Sequence, residues 1–324
     1  RVAMPLLPAG FYMHQPFPSS EIFRCLTNSE ELLRGILCAD HIGFHLFEWA
    51  QNFIACCRRL FGCSSEMRRG GGLVLHHEGR EIAISCSHMG VQPSAILKRL
   101  PSYEVSVRAQ ELEQLHCGHT LICSIDLLEG LKGIPGKLLA FENLLLTLKE
   151  RPRPLRLILR GIVPDARPED CAAVRTEVLS LVKRINGRFP SAVHFTEGTS
   201  ISLTERLALW RVTDVLLVTS VREGLNLMPL EYLLANKSSA GVIVLSESSS
   251  LAKLLSGAIT CNPWSVRKTS SALERALSLS SSSRADRSAA DLEWCHRCTA
   301  SEWARRVIRD VAAAGLATDG SVGG

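Results

Sequence analysis

The chain has 324 residues, of which 46% are hydrophobic, 21% charged and 6% aromatic, enough to bury one large core or two ordinary ones, so two domains are expected. Lys and Arg number 37 against 32 Asp and Glu, a formal charge of +5. The charges are interspersed apart from short basic clusters at 68–69 and 151–156, too diffuse for a nucleic-acid surface. No apolar run approaches the roughly 18 residues of a membrane helix, so no span is expected. The twelve cysteines are scattered, which in so large a chain points to a reducing, cytoplasmic setting rather than a disulfide scaffold. Residue 1 is Arg1, so the chain is expected to be a piece of a longer one, with any targeting signal upstream.

In chain order, a short strand is expected at 10–13, helices at 20–25 and 30–38, an apolar run at 42–45 and a long helix over 46–60. Runs at 74–77 and 81–85 flank Glu78 and Gly79, the pattern of a β-hairpin. From Thr120 onward, β-rich runs at 121–125, 155–159, 193–195, 215–218 and 242–245 alternate with helical patterns, which predicts a parallel sheet. One helical stripe is Leu138, Phe141, Leu145 and Leu148; another is Cys171, Val174, Val178, Leu181 and Ile185, both at helical spacing. Serine-rich segments at 246–250 and 278–283 read as surface loops, and a final helical stretch is expected over 286–314. The resulting division is an N-terminal α/β domain over 1–119 lacking its opening strands, a second over 120–282, a helical segment over 283–317 that packs back, and a tail over 318–324.

The segment 215–232 carries the most chemistry, because a buried strand runs through Thr219 to Leu227 into a helix start. Pro229 suits the first helical position, where its missing N–H has no helical partner. The backbone amides beside it then point outward, as at a phosphate-binding helix terminus. Glu231 alone is also what any helix start favours against its dipole. The whole string says more: Gly224 permits close backbone approach to a ligand, and Glu223 and Glu231 can accept hydrogen bonds from sugar or ribose hydroxyls.

Arg222-Glu223-Gly224-Leu225-Asn226-Leu227 with Glu231-Tyr232 resembles the trehalose-6-phosphate synthase signature R-D-G-M-N-L followed by E-Y, with Glu223 in place of the usual Asp. A second element, His14 to Phe23, is similar to the family's H-x-P-F-P-x-x-E-I-[FY]. Residues 39–45, Lys132-Gly133-Ile134, Arg167, Arg184-Ile185-Asn186 and Asn262-Pro263-Trp264 keep the family's order. The resemblance covers about residues 10 to 310. It implies a GT-B glycosyltransferase fold, two Rossmann-like domains facing across a cleft, with the N-terminal one incomplete here.

It also implies a retaining, metal-independent transfer of glucose from UDP-glucose to glucose 6-phosphate, with no cofactor. Lys132 and the turn Gly224, Leu225, Asn226 and Leu227 would bind the diphosphate, Glu231 the ribose, His14 and Glu223 the donor glucose, and Arg167 the acceptor phosphate. The family element E-R-x-D-x-x-K-G appears as 126–133, with Leu127 where the Arg belongs. Losing one preorganised donor of that kind typically costs a factor of roughly one hundred to one thousand in rate, and a lysine does not replace a planar fork. Weak synthase activity is therefore expected. The alternative is a non-catalytic member that senses sugar phosphates, or that regulates through protein partners or a homo-oligomer.

Cys295-His296-Arg297-Cys298 and His116-Cys117-Gly118-His119 have ligand-like spacing but no second pair nearby, so a metal site is disfavoured. No D-x-D-x-[TV] element marks a phosphohydrolase and no G-x-S-x-G a serine hydrolase.

Overall fold

The computed structural model describes residues 7–68, 72–148, 153–163, 168–236 and 240–319. Its order is β1 (Gly10–Met13), α1 (Ser20–Phe23), α2 (Ser29–Leu37), β2 (His41–Phe44), α3 (Phe47–Phe61), β3 (Ser64–Met67), β4 (Leu73–His77) and β5 (Arg80–Cys86). There follow α4 (Pro93–Arg99), α5 (Tyr103–Leu115), β6 (Thr120–Leu127), α6 (Ile134–Thr147), β7 (Leu155–Ile162), α7 (Pro168–Arg188) and β8 (Val193–Gly198). The remainder is α8 (Leu203–Val212), β9 (Val215–Val218), α9 (Met228–Ala235), β10 (Val242–Ser246), β11 (Ile259–Cys261), α10 (Val266–Ser278), α11 (Ser281–Arg297) and α12 (Ala300–Asp319).

The chain divides into two units, Arg1–Gly90 with Cys298–Gly324, and Val91–Arg297. This departs from a boundary at 119/120, because α4 and α5 belong to the second unit. Their Ile96, Val105, Ala109 and Leu112 share one apolar cluster with Leu209 and Trp210 of α8, and Arg108 grips Glu205 of α8 at 2.7 and 3.0 Å. The single helical stretch expected over 286–314 is two helices. The chain breaks at Thr299, whose hydroxyl caps the Glu302 N–H at 3.1 Å, and only α12 returns to the first unit.

In the first unit, the sheet order is β1-β2-β5-β4-β3, with β1, β2 and β5 parallel and the β4–β5 hairpin antiparallel. Glu78 and Gly79 take φ of 49° and 73°, the double left-handed turn that a two-residue hairpin needs. Phe17, Leu33, Phe44, Phe53, Leu75 and Ile82 are fully buried in its core, each contributing on the order of 1.5–3 kcal/mol of apolar burial.

The second unit is built on a parallel sheet of order β11-β10-β9-β6-β7-β8. Side chains alternate across it: Leu216, Val218, Ile243 and Leu245 enter one apolar layer with α4, α5, α8 and α9. Val215, Leu217, Val242 and Val244 enter the other, with Leu138 and Phe141 of α6 and Leu273 of α10. Coverage of both faces explains the nearly uninterrupted apolar strands. Chain order reverses between β6 and β9. From β6 the chain proceeds to β7 and β8 on one side, and from β9 to β10 and β11 on the other.

Both serine-rich segments differ from surface loops. Ser246, Ser249 and Ser250 are buried, and Ser250 Oγ donates to the Gly224 carbonyl at 2.7 Å. In the second run only Leu279 and Ser280 lie between helices, since the Ser280 hydroxyl accepts from Ser283 N–H at 3.2 Å and starts α11. Of the expected tail, residues 320–324 lie outside the described residues. Among the described residues, no helix is long and apolar enough to cross a membrane. The twelve cysteines are free thiols.

Candidate functional site

Strands β6 and β9 run side by side, with Ile122 opposite Val215 and Cys123 opposite Leu216. The loops leaving their carboxyl ends therefore start as neighbours. Gly133 has φ of 62°, and a Cβ there would lie 2.5 Å from the Thr219 carbonyl oxygen, so glycine is required for the loops to touch. Val221 N–H donates to the Leu131 carbonyl at 2.9 Å and holds them together. Lys132 is thereby set against Glu223, Nζ to Oε1 at 3.1 Å. Ser220 Oγ donates to the same oxygen at 2.9 Å. The other carboxylate oxygen, Oε2, is buried and has no hydrogen-bond partner among the described residues. Leaving a buried acceptor unsatisfied costs about 1–3 kcal/mol, which marks Oε2 as a place for a donor from a ligand.

Helix α9 begins at Met228, one residue before the expected start, so Pro229 is the second helical residue. Asn226 Oδ1 accepts the Met228 N–H at 3.0 Å. This is a side-chain role, beyond the backbone contribution expected of Asn226. Glu231, in the first turn and buried, receives a two-pronged grip from Arg206 of α8. Nε donates to Oε2 at 2.8 Å and Nη2 to Oε1 at 2.9 Å. Trp210 Nε1 donates to Oε2 at 3.4 Å. These three donors leave one of the carboxylate's roughly four lone-pair sites open, on Oε1.

These groups surround a cavity of about 410 Å³ lined by Ile125, Asp126, Leu127, Lys132, Ile162, Arg206, Glu223, Leu225, Asn226, Leu227, Met228 and Glu231. Beneath it Asp126 Oδ2 accepts from the fully buried Lys137 ammonium and from Ser124 Oγ at 2.6 Å. Both cations that line the cavity, Lys132 and Arg206, are thus paired with carboxylates that also line it.

Of the residues singled out in the sequence, Lys132, Glu223, Leu225, Asn226, Leu227 and Glu231 converge on this cavity, and Gly224 is buried in the same loop. His14 belongs to the first unit, where its Nδ1 lies 2.8 Å from His45 Nε2. Arg167 lies outside the described residues. Arg184 and Asn186 serve structure: Arg184 pairs with Glu142, and Asn186 exchanges two hydrogen bonds with the Val193 backbone at 2.8 and 2.9 Å. Sequence reading missed Arg206, Trp210, Ser220, Ser250 and Lys137. A carboxylate predicted inside an apolar helix demands a cation, but only the fold shows that Arg206, 25 residues earlier, supplies it. Among the described residues, no three or more His, Cys, Asp or Glu side chains are grouped so as to hold a metal, and Cys295 is buried in α11.

A pocket outside the carboxyl ends of parallel strands, where chain order reverses, is where doubly wound α/β proteins hold nucleotides. The fold and the site therefore define a doubly wound α/β protein with a pocket where its chain order reverses. The chain belongs to glycosyltransferase family 20, whose profile matches residues 1–313. It is 33% identical over 306 residues to the Aspergillus niger alpha,alpha-trehalose-phosphate synthase (UDP-forming) 2, covering 93% of this chain and 62% of that relative. Among solved structures, it matches the Candida albicans trehalose-6-phosphate phosphatase N-terminal domain at 32% identity and a TM-score of 0.86, over 94% of this chain and 64% of that one. A Burkholderia xenovorans alpha,alpha-trehalose-phosphate synthase (UDP-forming) in complex with glucose-6-phosphate matches at 26% identity and a TM-score of 0.87, over 94% and 68%. The fold class is thus α/β of the GT-B type, and the chain spans less than two thirds of the Aspergillus relative's length.

Proposed function

We propose that the chain binds a nucleotide sugar in the β6–β9 pocket and acts as a trehalose-6-phosphate synthase-like glucosyltransferase, passing glucose from UDP-glucose to glucose 6-phosphate with retention. The observation that carries the reading is the buried, unpartnered Oε2 of Glu223 beside Lys132, in one cavity with Glu231. In this reading Glu223 accepts from a glucose hydroxyl and Glu231 from a ribose hydroxyl. The backbone amides of 224–227 and Lys132 receive the diphosphate, whose negative charge grows as the glycosyl bond breaks. Preorganised donors supply this stabilisation, so the reading invokes no metal. His14 contacts the donor glucose, and Arg167 the acceptor phosphate. The names of the relatives, UDP-forming synthases and one glucose-6-phosphate complex, support these substrates.

A second reading, binding without turnover, draws support from two observations. Leu127 stands at the end of β6 in the cavity wall, where the family resemblance expects an Arg, and Lys132 is already neutralised by Glu223. Regulation through a partner protein or a second copy belongs to this reading. The separating experiment measures UDP release from UDP-glucose with glucose 6-phosphate, alongside binding of UDP-glucose. Turnover above the no-enzyme rate supports the synthase. Binding without turnover supports the sensor, and absence of binding rejects both.

A further inference from the structure

Strands β1, β2 and β5 end in register, with Met13 opposite Phe44 and Phe44 opposite Cys86. The next residues along each strand, His14, His45 and then Ser87 to Met89, therefore fall side by side. Tyr12 staples the three ends: its hydroxyl donates to the Phe44 carbonyl at 2.9 Å and also contacts the Ser87 carbonyl. Its ring packs 5.2 Å from that of His14 and 5.3 Å from that of His45. Gly43 makes room for it, since a Cβ there would sit 2.2 Å from the Tyr12 ring.

The protons on this cluster follow from its hydrogen bonds. Met89 N–H, which can only donate, reaches His45 Nδ1 at 3.4 Å. His45 Nδ1 is therefore the acceptor nitrogen, and in a neutral ring the proton must sit on Nε2. The ring is neutral because burial, with the rings of His88 and His14 alongside, outweighs the raising effect of the Ser87 backbone acceptor and brings its pKa down to about 3. His88, 4.6 Å away ring to ring, is brought down to about 4, mainly by burial. His45 Nε2–H then donates to His14 Nδ1 at 2.8 Å. His14 must accept there and carry its own proton on Nε2, which has no hydrogen-bond partner among the described residues.

We propose that His45 is a positioning residue that fixes His14 in its Nε2–H tautomer, so that His14 presents a hydrogen-bond donor, and no acceptor, to a bound ligand. The ligand atom it meets must be an acceptor, such as a sugar or phosphate oxygen. While the relay stands, His14 cannot serve as a base through Nε2. The inference deepens the reading of His14 as a donor-glucose contact and rests on that reading for its functional consequence. The tautomer itself can be tested without any ligand.

The test is long-range proton–nitrogen correlation NMR on the chain carrying nitrogen-15 histidine at neutral pH, with His14→Gln used to assign the His14 signals. A single Nε2–H pattern for His14 is expected. Substituting His45→Gln should preserve it, because an amide oxygen can accept from Met89 N–H and the amide nitrogen can donate to His14. His45→Phe keeps the bulk but neither role, and should convert His14 to a mixture of tautomers. It should also weaken UDP-glucose binding by about three- to tenfold, the worth of one misaligned neutral hydrogen bond, and leave UDP binding unchanged. An Nδ1–H pattern for His14 in the unmodified chain overturns the proposal, and this spectrum decides even where His45→Phe does not fold. An unchanged His14 pattern in a folded His45→Phe also overturns it. If the tautomer responds as described while UDP-glucose affinity does not, the positioning role stands and the assignment of His14 to the glucose is what fails.

Discussion

Lys132 Nζ and Glu223 Oε1 lie 3.1 Å apart across the two loops at the β6–β9 reversal point. The ammonium that a leaving diphosphate would need is therefore held by a carboxylate from the facing loop. A diphosphate entering the cavity competes with Glu223 for that charge, and the competition makes a definite prediction. Glu223→Gln keeps the shape and an acceptor oxygen but frees the ammonium, so UDP should bind about fivefold more tightly, the equivalent of roughly 1 kcal/mol. Isothermal titration measures this directly, and equal or weaker UDP binding would show that the pair does not compete with the nucleotide.

Arg206 and Glu231 form the better-formed pair, two hydrogen bonds at 2.8 and 2.9 Å with Glu231 mostly buried. Removing one partner of a buried pair strands the other charge, at a cost of about 3–5 kcal/mol. Arg206→Met should lower unfolding stability by about that amount in denaturant melts. Adding Glu231→Gln to it should recover more than half of the loss. Additive effects of the two changes would show that they are not coupled.

Leu127 stands in the cavity wall at the end of β6. Leu127→Arg places a guanidinium beside the proposed diphosphate position, and turnover of UDP-glucose with glucose 6-phosphate should rise by roughly one hundred- to one thousandfold if the remaining groups are in place. A change of less than threefold would argue that the missing guanidinium is not what limits the reaction.

Asp291 of α11 is buried, accepts the Gly257 N–H at 2.8 Å, and is pushed up by burial to about 6. Between pH 4 and 6 the unfolded chain gives up this proton while the folded chain keeps it, so stability falls as pH rises through that window. Asp291→Asn retains the oxygen acceptor and has no proton to lose. It should match the parent near pH 4 and exceed it by roughly 1–3 kcal/mol at pH 7.5. Thermal melts at the two pH values check this, and a variant less stable at pH 7.5 would contradict it.

The parallel sheet of the second unit, the hairpin at Glu78 and Gly79 and the loop carrying Glu223 to Leu227 were legible because each rests on local information: strand-length apolar runs, turn chemistry and a contiguous motif. What was not legible depends on three-dimensional pairing. Lys137 sits one residue before the Leu138 stripe and would ordinarily face solvent. Its burial follows from Asp126 and Ser124, which lie on the strand below it. Arg206 lies in a helix with no clear polar face, and only the packing of α8 on α9 brings it to Glu231. The short β3 strand, Ser64–Met67, has no apolar pattern because it is a largely exposed edge. Serine content suggested surface, whereas Ser250 is buried because its hydroxyl satisfies the Gly224 carbonyl.

Whether the β6–β9 pocket holds a nucleotide sugar is decided by thermal melting of the chain with and without millimolar UDP-glucose, repeated on Glu231→Gln. A ligand that binds only the folded state must raise the midpoint, by the equivalent of about 2.7 kcal/mol at one hundred times its Kd. A clear upward shift is expected for the parent chain and a smaller one for the variant. A cooperative melt that UDP-glucose does not move would contradict nucleotide-sugar binding in the pocket.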